Sequence, residues 1–218
     1  TLYIRAGPEI GVAATKTFAS QVATLTLLSV YLGRHRSELG SSRASDVLAS
    51  VRNLPGAVQQ ALDAESQVLE VAETYVDSDA FFFIGRELGY PVALEGALKL
   101  KEISYDHAEG FAAGELKHGP LALVTPKTPT LAVLTEGTRS KETLNNVKEV
   151  ESRGSPVVGC SSLEDGGLLD AVFDVPEIGV MEPLVANVYL QLFAYHVANL
   201  KGRPIDKPRN LAKSVTVE

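Results

Sequence analysis

The first third of the chain has the hydrophobic spacing of α-helices. From Val12 to Leu32 the apolar residues recur every three or four positions, which predicts an amphipathic helix. A second helix is predicted over Ser42–Asn53 and a third over Leu54–Val76, because Pro55 removes a backbone donor and prolines usually end helices. Ahead of these helices, the apolar run Leu2–Ile4 predicts a short strand.

From residue 80 onward, short apolar runs alternate with helical segments. The predicted strands are mostly apolar and cover Ala80–Ile84, Pro129–Leu134, Pro156–Cys160 and Ala171–Val175. The predicted helices are Gly89–Tyr105, a segment that Thr138 or Ser140 caps and that ends at Ser152, and Pro183–Leu200. Continuous apolar strands that alternate with helices are typical of a parallel sheet covered on both faces. The pattern therefore predicts an α/β fold, a three-layer αβα sandwich with a mostly parallel sheet, preceded by helices.

The predicted helix Gly89–Tyr105 carries one narrow charged stripe. At about 100° per residue, Glu95, Lys99 and Glu102 fall within about 60° of one another. The other positions are mostly Val, Leu, Ala and Ile, and a helix that is apolar over most of its circumference is buried. Two carboxylates and an amine that face a cleft can transfer protons. The same spacing is equally compatible with an i, i+4 salt bridge on a solvated face, so the pattern alone leaves both interpretations open.

Two further side chains are candidates for chemistry because of their surroundings. His118 precedes Gly119-Pro120, which places it on a loop, and histidines serve as acids and bases near neutral pH. Lys213 follows Leu211 and precedes Val215 in a segment without periodicity, which predicts an extended arm. If this arm folds back over a cleft, loss of solvent would favour Lys213 as a nucleophile or Schiff-base amine. Otherwise each of the two is an ordinary solvated residue.

The composition excludes several classes of protein and site. A formal net charge of −7 argues against a general nucleic-acid or acidic-membrane surface. No apolar run approaches the roughly 18 residues that span a bilayer. The only cysteine, Cys160, ends an apolar run, which predicts a buried structural thiol, no disulfide framework and a cytoplasmic location. The histidines lack metal-ligand spacing, so neither a metal nor a cofactor is expected.

Four segments that follow one another along the chain carry a resemblance to a known family. They are Ala6–Phe18, Ala93–Tyr105, Gly114–Ala122 and Pro208–Glu218. Together they resemble the C-terminal part of the isomerase half of glutamine–fructose-6-phosphate aminotransferases (glucosamine-6-phosphate synthases), a half that consists of two sugar-isomerase (SIS) domains. The resemblance implies four divisions: the end of the first SIS domain (1–40), a helical connector (41–76), the second SIS domain (77–204) and a C-terminal active-site arm (205–218).

By this resemblance, the full-length parent makes glucosamine 6-phosphate and glutamate from fructose 6-phosphate and glutamine, the first step of hexosamine biosynthesis. Glu102 would be the base that moves a proton between C1 and C2 of the imine. Lys99 would assist near O1, and Glu95 would be a supporting charge. The reaction needs a carboxylate, an ammonium beside the developing oxyanion and exclusion of water, which a charged stripe beneath a closing arm supplies.

The resemblance also implies roles outside the charged stripe. His118 would open the sugar ring and, in a homodimer, would be donated to the neighbouring subunit's site. Lys213 would contact the open-chain ketose or form the imine with it. Val12 and Ala14 would line the sugar site, although Ala14 stands where many relatives carry serine, so only a backbone contact is expected there. An N-terminal glutaminase domain would supply the ammonia.

Two features point to an incomplete substrate site. The chain starts with Thr1 inside an apparent strand, so we expect a piece of a longer protein without the glutaminase domain and the phosphate-binding loop of the first SIS domain. In the corresponding loop of the second lobe, Leu134–Ser140, Glu136 would repel phosphate. The piece alone is therefore expected to be inactive and to bind fructose 6-phosphate weakly or not at all. Two alternatives stay open: a non-catalytic SIS module that senses a phosphosugar, and an excised folding and dimerisation unit.

Overall fold

The computed structural model describes residues 1–163 and 167–214. Five strands form one sheet in which every neighbouring pair is parallel. The strands are β1 (Phe81–Gly85), β2 (Ala108–Ala112), β3 (Thr130–Leu134), β4 (Val157–Ser161) and β5 (Ala171–Asp174). Their order across the sheet is β2-β1-β3-β4-β5. The three central strands are buried at every position, as their continuous apolar runs predict.

Helices cover both faces of this sheet and also precede it. The α-helices are α1 (Lys16–His35), α2 (Ser41–Asp63), α3 (Glu65–Tyr75), α4 (Gly89–Ser104), α5 (Ser140–Glu151) and α6 (Glu182–Leu200), and two 3₁₀ helices span Ala113–His118 and Pro120–Leu123. Because alternate strand residues point to opposite faces, Phe81 and Phe83 pack with α3, α4 and α6, whereas Phe82 and Ile84 pack toward α5. The predicted three-layer αβα sandwich is confirmed. Among the described residues no helix is long and apolar enough to cross a membrane.

The N-terminal segment is irregular where a strand and a helix start were expected. Leu2–Ile4 pairs with no strand of the described sheet, so that prediction is wrong. Helix α1 begins at Lys16 rather than at Val12. The carboxylate of Glu9 accepts hydrogen bonds from backbone N–H groups at the start of α1. Such a carboxylate satisfies amides that the first turn of a helix leaves without partners, which explains where α1 begins.

Pro55 lies within α2 instead of ending a helix. Leu54, Ala57 and Ala61 on one face of α2 are buried in the core, whereas Pro55 itself is exposed. Burial of this face stabilises the helix across the proline, because tertiary packing contributes more to helical stability than local propensity does. The break between α2 and α3 comes at Ala64, so the predicted boundary near Pro55 is wrong.

The sequence pattern misses β2, which forms one edge of the sheet. Its sequence, Ala-Glu-Gly-Phe-Ala, is short and mixed, and only Ala108 is fully buried. A side chain at Gly110 would meet the backbone of Leu94 at 2.9 Å, so glycine allows α4 to lie close to this strand. A half-exposed edge strand has no continuous apolar run, and for this reason the sequence pattern predicts a turn here instead of a strand.

Candidate functional site

Two glycines allow α4, the helix with the charged stripe, to pack closely. A side chain at Gly85 would meet the backbone of Gly89 at 2.3 Å, so the turn from β1 into α4 requires glycine. A side chain at Gly96 would meet Leu190 of α6 at 2.6 Å. This approach of α4 to α6 buries most of the circumference of α4, as its apolar sequence predicts. The charged stripe on α4 is therefore largely buried as well.

The stripe forms a largely buried ion-pair group. The Nζ atom of Lys99 lies 2.6 Å from Oε2 of Glu102 and 3.4 Å from Oε1 of Glu95. The side chain of Lys99 is 4% exposed, and those of Glu95 and Glu102 are 14% and 22% exposed. These exposures argue against a salt bridge on a solvated face, since such pairs stand open to water. A partly exposed carboxylate beside a buried ammonium can accept a proton next to a fixed positive charge.

Two cavities border this ion pair, one at Lys99 and the other at Glu102. The first cavity, of about 410 Å³, is lined by Lys99 together with Glu9 and Gln191. The second cavity, of about 450 Å³, is lined by Glu102 and by residues of the C-terminal arm, among them Arg209. Both volumes are in the range that small-molecule sites occupy. The Lys99–Glu102 pair therefore lies between two spaces of the size that a small ligand requires.

Glu9 is a charged residue to which the sequence analysis assigned no role. Its Oε1 atom accepts the backbone N–H groups of Thr15 (3.0 Å) and Thr17 (3.3 Å). Its Oε2 atom accepts the Thr17 hydroxyl (2.6 Å) and the Lys213 ammonium (2.7 Å). Burial raises the pKa of Glu9, but the hydrogen bonds from Lys213, Thr17 and Thr15 together outweigh burial and lower it to about 2. The sequence signal that could have identified Glu9 is an acidic side chain shortly before the start of a helix. The start of α1 was predicted at Val12 instead of Lys16, so this signal was missed.

Because folding lowers the pKa of Glu9 from 4.5 to about 2, its carboxylate stabilises the folded state above pH 4.5. This contribution is lost as the pH falls through that interval. Glu9→Gln is therefore expected to lower the free energy of unfolding at pH 6 by an amount on the order of 2 kcal/mol, allowing for solvent around Lys213. Urea unfolding at pH 6 and pH 3 measures the effect, and the difference between wild type and variant should shrink at pH 3. The same change at exposed Glu38 should alter stability by less than about 0.5 kcal/mol. A Glu9 difference that is equal at both pH values would contradict the assignment.

The C-terminal arm folds back onto the N-terminal segment. The carbonyl of Asp206 accepts the N–H of Val12 at 3.0 Å. The ammonium of Lys213 donates to the carbonyl of Gly11 at 2.9 Å as well as to Glu9. The structure thus brings Lys213 and Val12 together beside the first cavity. The arm was predicted to run to residue 218, and its residues 215–218 lie outside the described part of the chain.

Five residues with predicted roles line neither cavity: Val12, Ala14, Glu95, His118 and Lys213. Gly11 and Ala13, rather than Val12 and Ala14, line the first cavity. His118 is exposed at the end of the first 3₁₀ helix, where a loop was expected, and it lines neither the first nor the second cavity.

The loop after β3 uses its hydroxyl groups internally. Thr138 and Ser140 both donate from their hydroxyls to the carbonyl of Thr135, so neither caps α5, contrary to prediction. The carboxylate of Glu182, a residue only 2% exposed, accepts the N–H of Glu136 at 2.8 Å. Ligands of parallel sheets bind where such loops leave the strands. The Glu182 carboxylate therefore already accepts the backbone N–H of Glu136 in this loop.

Other reactive side chains have structural surroundings. Cys160 is buried in the sheet, and burial raises the pKa of its thiol, which agrees with the predicted structural role. His196 is 5% exposed, with Nε2 at 3.4 Å from Oε1 of Glu65, and burial lowers its pKa. Within residues 1–163 and 167–214, no three His, Cys, Asp or Glu side chains come together to hold a metal ion.

Comparison with known proteins relates the whole chain to one group of enzymes. Residues 74–200 match the family model described as SIS domain. The chain is 63% identical over 220 residues to the glutamine–fructose-6-phosphate aminotransferase (isomerizing) of Halobacterium salinarum, and 47% identical over 221 residues to that of Thermus thermophilus. It spans 36% and 37% of the length of these two relatives.

Solved structures show the same relationship. The C-terminal domain of glucosamine-fructose-6-phosphate aminotransferase from Francisella tularensis matches with a TM-score of 0.87 at 36% identity, over 94% of this chain and 58% of that chain. A glucosamine-6-phosphate deaminase from Thermotoga maritima matches with a TM-score of 0.70 at 26% identity, over 95% of this chain and 58% of that chain.

Proposed function

The chain belongs to the SIS domain family, and we propose that it is the C-terminal part of the isomerase half of a glutamine–fructose-6-phosphate aminotransferase. The observation that carries this proposal is the Lys99–Glu102 ion pair, largely buried and placed between two cavities. The similarity to such aminotransferases along the whole chain supports it. The substrates are fructose 6-phosphate and glutamine-derived ammonia, and the product is glucosamine 6-phosphate.

In this proposal Glu102 moves the proton of the isomerisation. The carboxylate takes a proton from C1 of the imine, and the C1–H electrons form a C1–C2 double bond as the π electrons of the C2=N bond move to the nitrogen, which takes up a proton. In the second half of the reaction the C1 hydroxyl loses its proton, its O–H electrons form the C1=O bond, and the C1–C2 π electrons take a proton at C2 from the Glu102 carboxyl group. Lys99, at 2.6 Å from Glu102, offers its ammonium to the negative charge that develops on the substrate oxygen at C1. Glu95, at 3.4 Å from Lys99, is a second carboxylate that stabilises the ammonium.

Lys213 and the sugar-site residues act from the arm and the N-terminal segment. We assign to Lys213 the contact with the open-chain ketose or the imine, for which its ammonium must leave Glu9 and, to form an imine, lose a proton. Val12 and Ala14 contribute backbone groups to the sugar site. The arm keeps water from the reaction. The same proposal divides the chain into the end of the first SIS domain (1–40), a helical connector (41–76), the second SIS domain (77–204) and the C-terminal arm (205–218).

The proposal includes partners that the full-length protein supplies. A glutaminase domain releases the ammonia, and a homodimer brings His118 of one subunit to the site of the other, where it opens the sugar ring. The phosphate grip belongs to the first SIS domain, since the loop after β3 presents Glu136 and the built-in Glu182 carboxylate. A cytoplasmic location also stays a prediction.

The direct test is product formation by the full-length protein. Incubated with fructose 6-phosphate and glutamine, it is expected to form glucosamine 6-phosphate and glutamate in equal amounts, measured by mass spectrometry. The 218-residue chain alone should form neither, because it spans only 36% and 37% of the length of the two aminotransferases compared above. Binding of fructose 6-phosphate by the full-length protein without any product would instead favour a phosphosugar sensor.

The predicted exchange of His118 between subunits has its own test. His118→Ala and Glu102→Gln should each be inactive as homodimers, but mixing the two after dissociation should restore product formation. Each mixed dimer then holds one site with an intact Glu102 and an intact His118, because the two residues of a site come from different subunits. Mixed dimers that stay inactive, while wild-type subunits treated in the same way recover, would show that His118 acts within its own subunit.

A further inference from the structure

Tyr105 joins the end of the charged helix to the C-terminal arm. It follows the last residue of α4 and has a left-handed backbone conformation, with φ 69° and ψ 16°. Its hydroxyl accepts the backbone N–H of Arg209 at 2.8 Å. The guanidinium carbon of Arg209 lies 4.3 Å from the centre of the Tyr105 ring, and that of Arg203 lies 5.3 Å from it. Both distances are within the range of cation–π contacts.

These contacts differ from the other attachments of the arm. The Asp206–Val12 and Lys213–Glu9 bonds tie the arm to the N-terminal segment. Tyr105 instead ties the arm to α4 itself, three residues after Glu102. The second cavity lies at this junction, between Glu102 and the arm residues that follow Arg209.

The path of the arm beyond this junction depends on where Arg209 is held. Asn210 has a left-handed φ of 64°, so the arm changes direction immediately after Arg209. Leu211 then lines the second cavity, and Lys213 reaches Glu9. A shift of Arg209 away from Tyr105 would therefore move both the wall of the cavity and the Lys213 ammonium.

We propose that Tyr105 is a positioning residue whose hydroxyl and ring hold Arg209. Held in this way, the arm forms one wall of the cavity beside Glu102, and Lys213 reaches Glu9. The hydroxyl fixes the main chain of Arg209, and the ring fixes its guanidinium group. The expected effect on catalysis rests on the proposed function, whereas the attachment of the arm through the Tyr105–Arg209 contacts does not. Tyr105 lies in the matched segment Ala93–Tyr105, but it follows the last residue of α4 and has a left-handed backbone, so it does not belong to the charged stripe.

Amide hydrogen exchange in the full-length protein tests the hold on the arm without reference to activity. Tyr105→Phe removes the acceptor of the Arg209 N–H and keeps the ring, so exchange of this amide should become about fivefold faster. Tyr105→Leu also removes the cation–π contacts, and exchange should become about 50-fold faster. Tyr90→Leu, the same change on the same helix at an exposed ring, should leave it unchanged. Exchange at the wild-type rate in both Tyr105 variants would overturn the proposal.

A double-mutant cycle tests whether the ring acts through Arg209. Tyr105→Leu is expected to lower kcat/KM for fructose 6-phosphate about tenfold, and Arg209→Met should give a smaller loss, because it keeps the hydrogen bond from the main-chain N–H of residue 209 to the Tyr105 hydroxyl. The double variant should be no worse than Tyr105→Leu alone, because the two changes remove the same contact. Losses that multiply would overturn the inference. A wild-type protein that forms no glucosamine 6-phosphate would refute the proposed function instead, and the exchange experiment would still decide the hold on the arm.

Discussion

Glu102→Gln in the full-length protein is expected to lower glucosamine 6-phosphate formation about 10³-fold while glutamine hydrolysis continues. The amide has the shape of the carboxylate but cannot accept a proton from C1, and general-base catalysis typically contributes factors of about 10² to 10⁴. The buried Lys99 ammonium keeps Glu95 at 3.4 Å, so the neutral amide at position 102 does not leave a buried charge without a partner. Loss of activity with a folded protein is therefore the expected phenotype.

The matched control for this variant lies on the same stripe. Glu95→Gln makes the same chemical change at the other carboxylate beside Lys99, at 3.4 Å instead of 2.6 Å. Since Glu95 is assigned only a supporting charge, its variant should lose about tenfold or less in kcat, measured with saturating fructose 6-phosphate. Equal losses at both positions would argue that the stripe acts only as a charged cluster, and full activity of Glu102→Gln would refute its role as the base.

Lys99→Met is expected to impair both stability and activity. It removes the buried cation that lies between two carboxylates, and breaking a buried ion pair from one side costs about 3 kcal/mol or more. The lower end of that range applies, because both carboxylates keep some contact with solvent. Product formation should fall by about 10² or more, since the variant offers no positive charge to the developing oxyanion.

Two controls separate the structural part of the Lys99 effect from the catalytic part. Lys101→Met removes an exposed ammonium from the same helix and should change the free energy of unfolding by less than about 0.5 kcal/mol. Adding Glu102→Gln to Lys99→Met removes one unpaired carboxylate, so urea unfolding should show part of the stability restored. Activity should stay lost in this double variant. A double variant as unstable as the sum of the two changes would contradict the ion pair as described.

The parts of the fold that were predicted from sequence are those whose signal is local and periodic. The buried strands β1, β3 and β4 are continuous apolar runs, and α4 shows its stripe at helical spacing. Strand β2 was missed because an edge strand needs only partial burial. Helix α2 passes through Pro55 because its buried face packs against distant parts of the chain, which no local rule contains.

In the candidate site, too, local groupings could be predicted from the sequence and long-range contacts could not. Glu95, Lys99 and Glu102 are neighbours on one helix, so their grouping followed from spacing alone. Glu9 meets Lys213 across 204 positions of the chain, and Tyr105 meets Arg209 across 104. Contacts of this kind depend on how the arm folds back, and only the structure contains that information.

Outside the stripe, His118 and Lys213 became candidates because of their surroundings in the sequence, and their specific roles depended on the resemblance. Lys213 and His118 have no periodicity that marks them, and their assigned roles come from the matched segments. The structure brings Lys213 to the N-terminal segment beside the first cavity, whereas His118 is exposed and lines neither cavity. The proposed division of the site between subunits has no signature within one chain, so its test requires the mixed-subunit experiment on the full-length protein.

The central claim, that Glu102 moves the proton between C1 and C2, is tested most directly with fructose 6-phosphate that carries deuterium at both C1 positions. With the full-length wild type, glutamine and the labelled sugar, each molecule of glucosamine 6-phosphate should retain one deuterium at C1, with the other at C2 or in the solvent. With Glu102→Gln, both deuterium atoms should stay on C1, measured by mass spectrometry and NMR. Loss of deuterium from C1 at the wild-type rate in this variant would contradict the account.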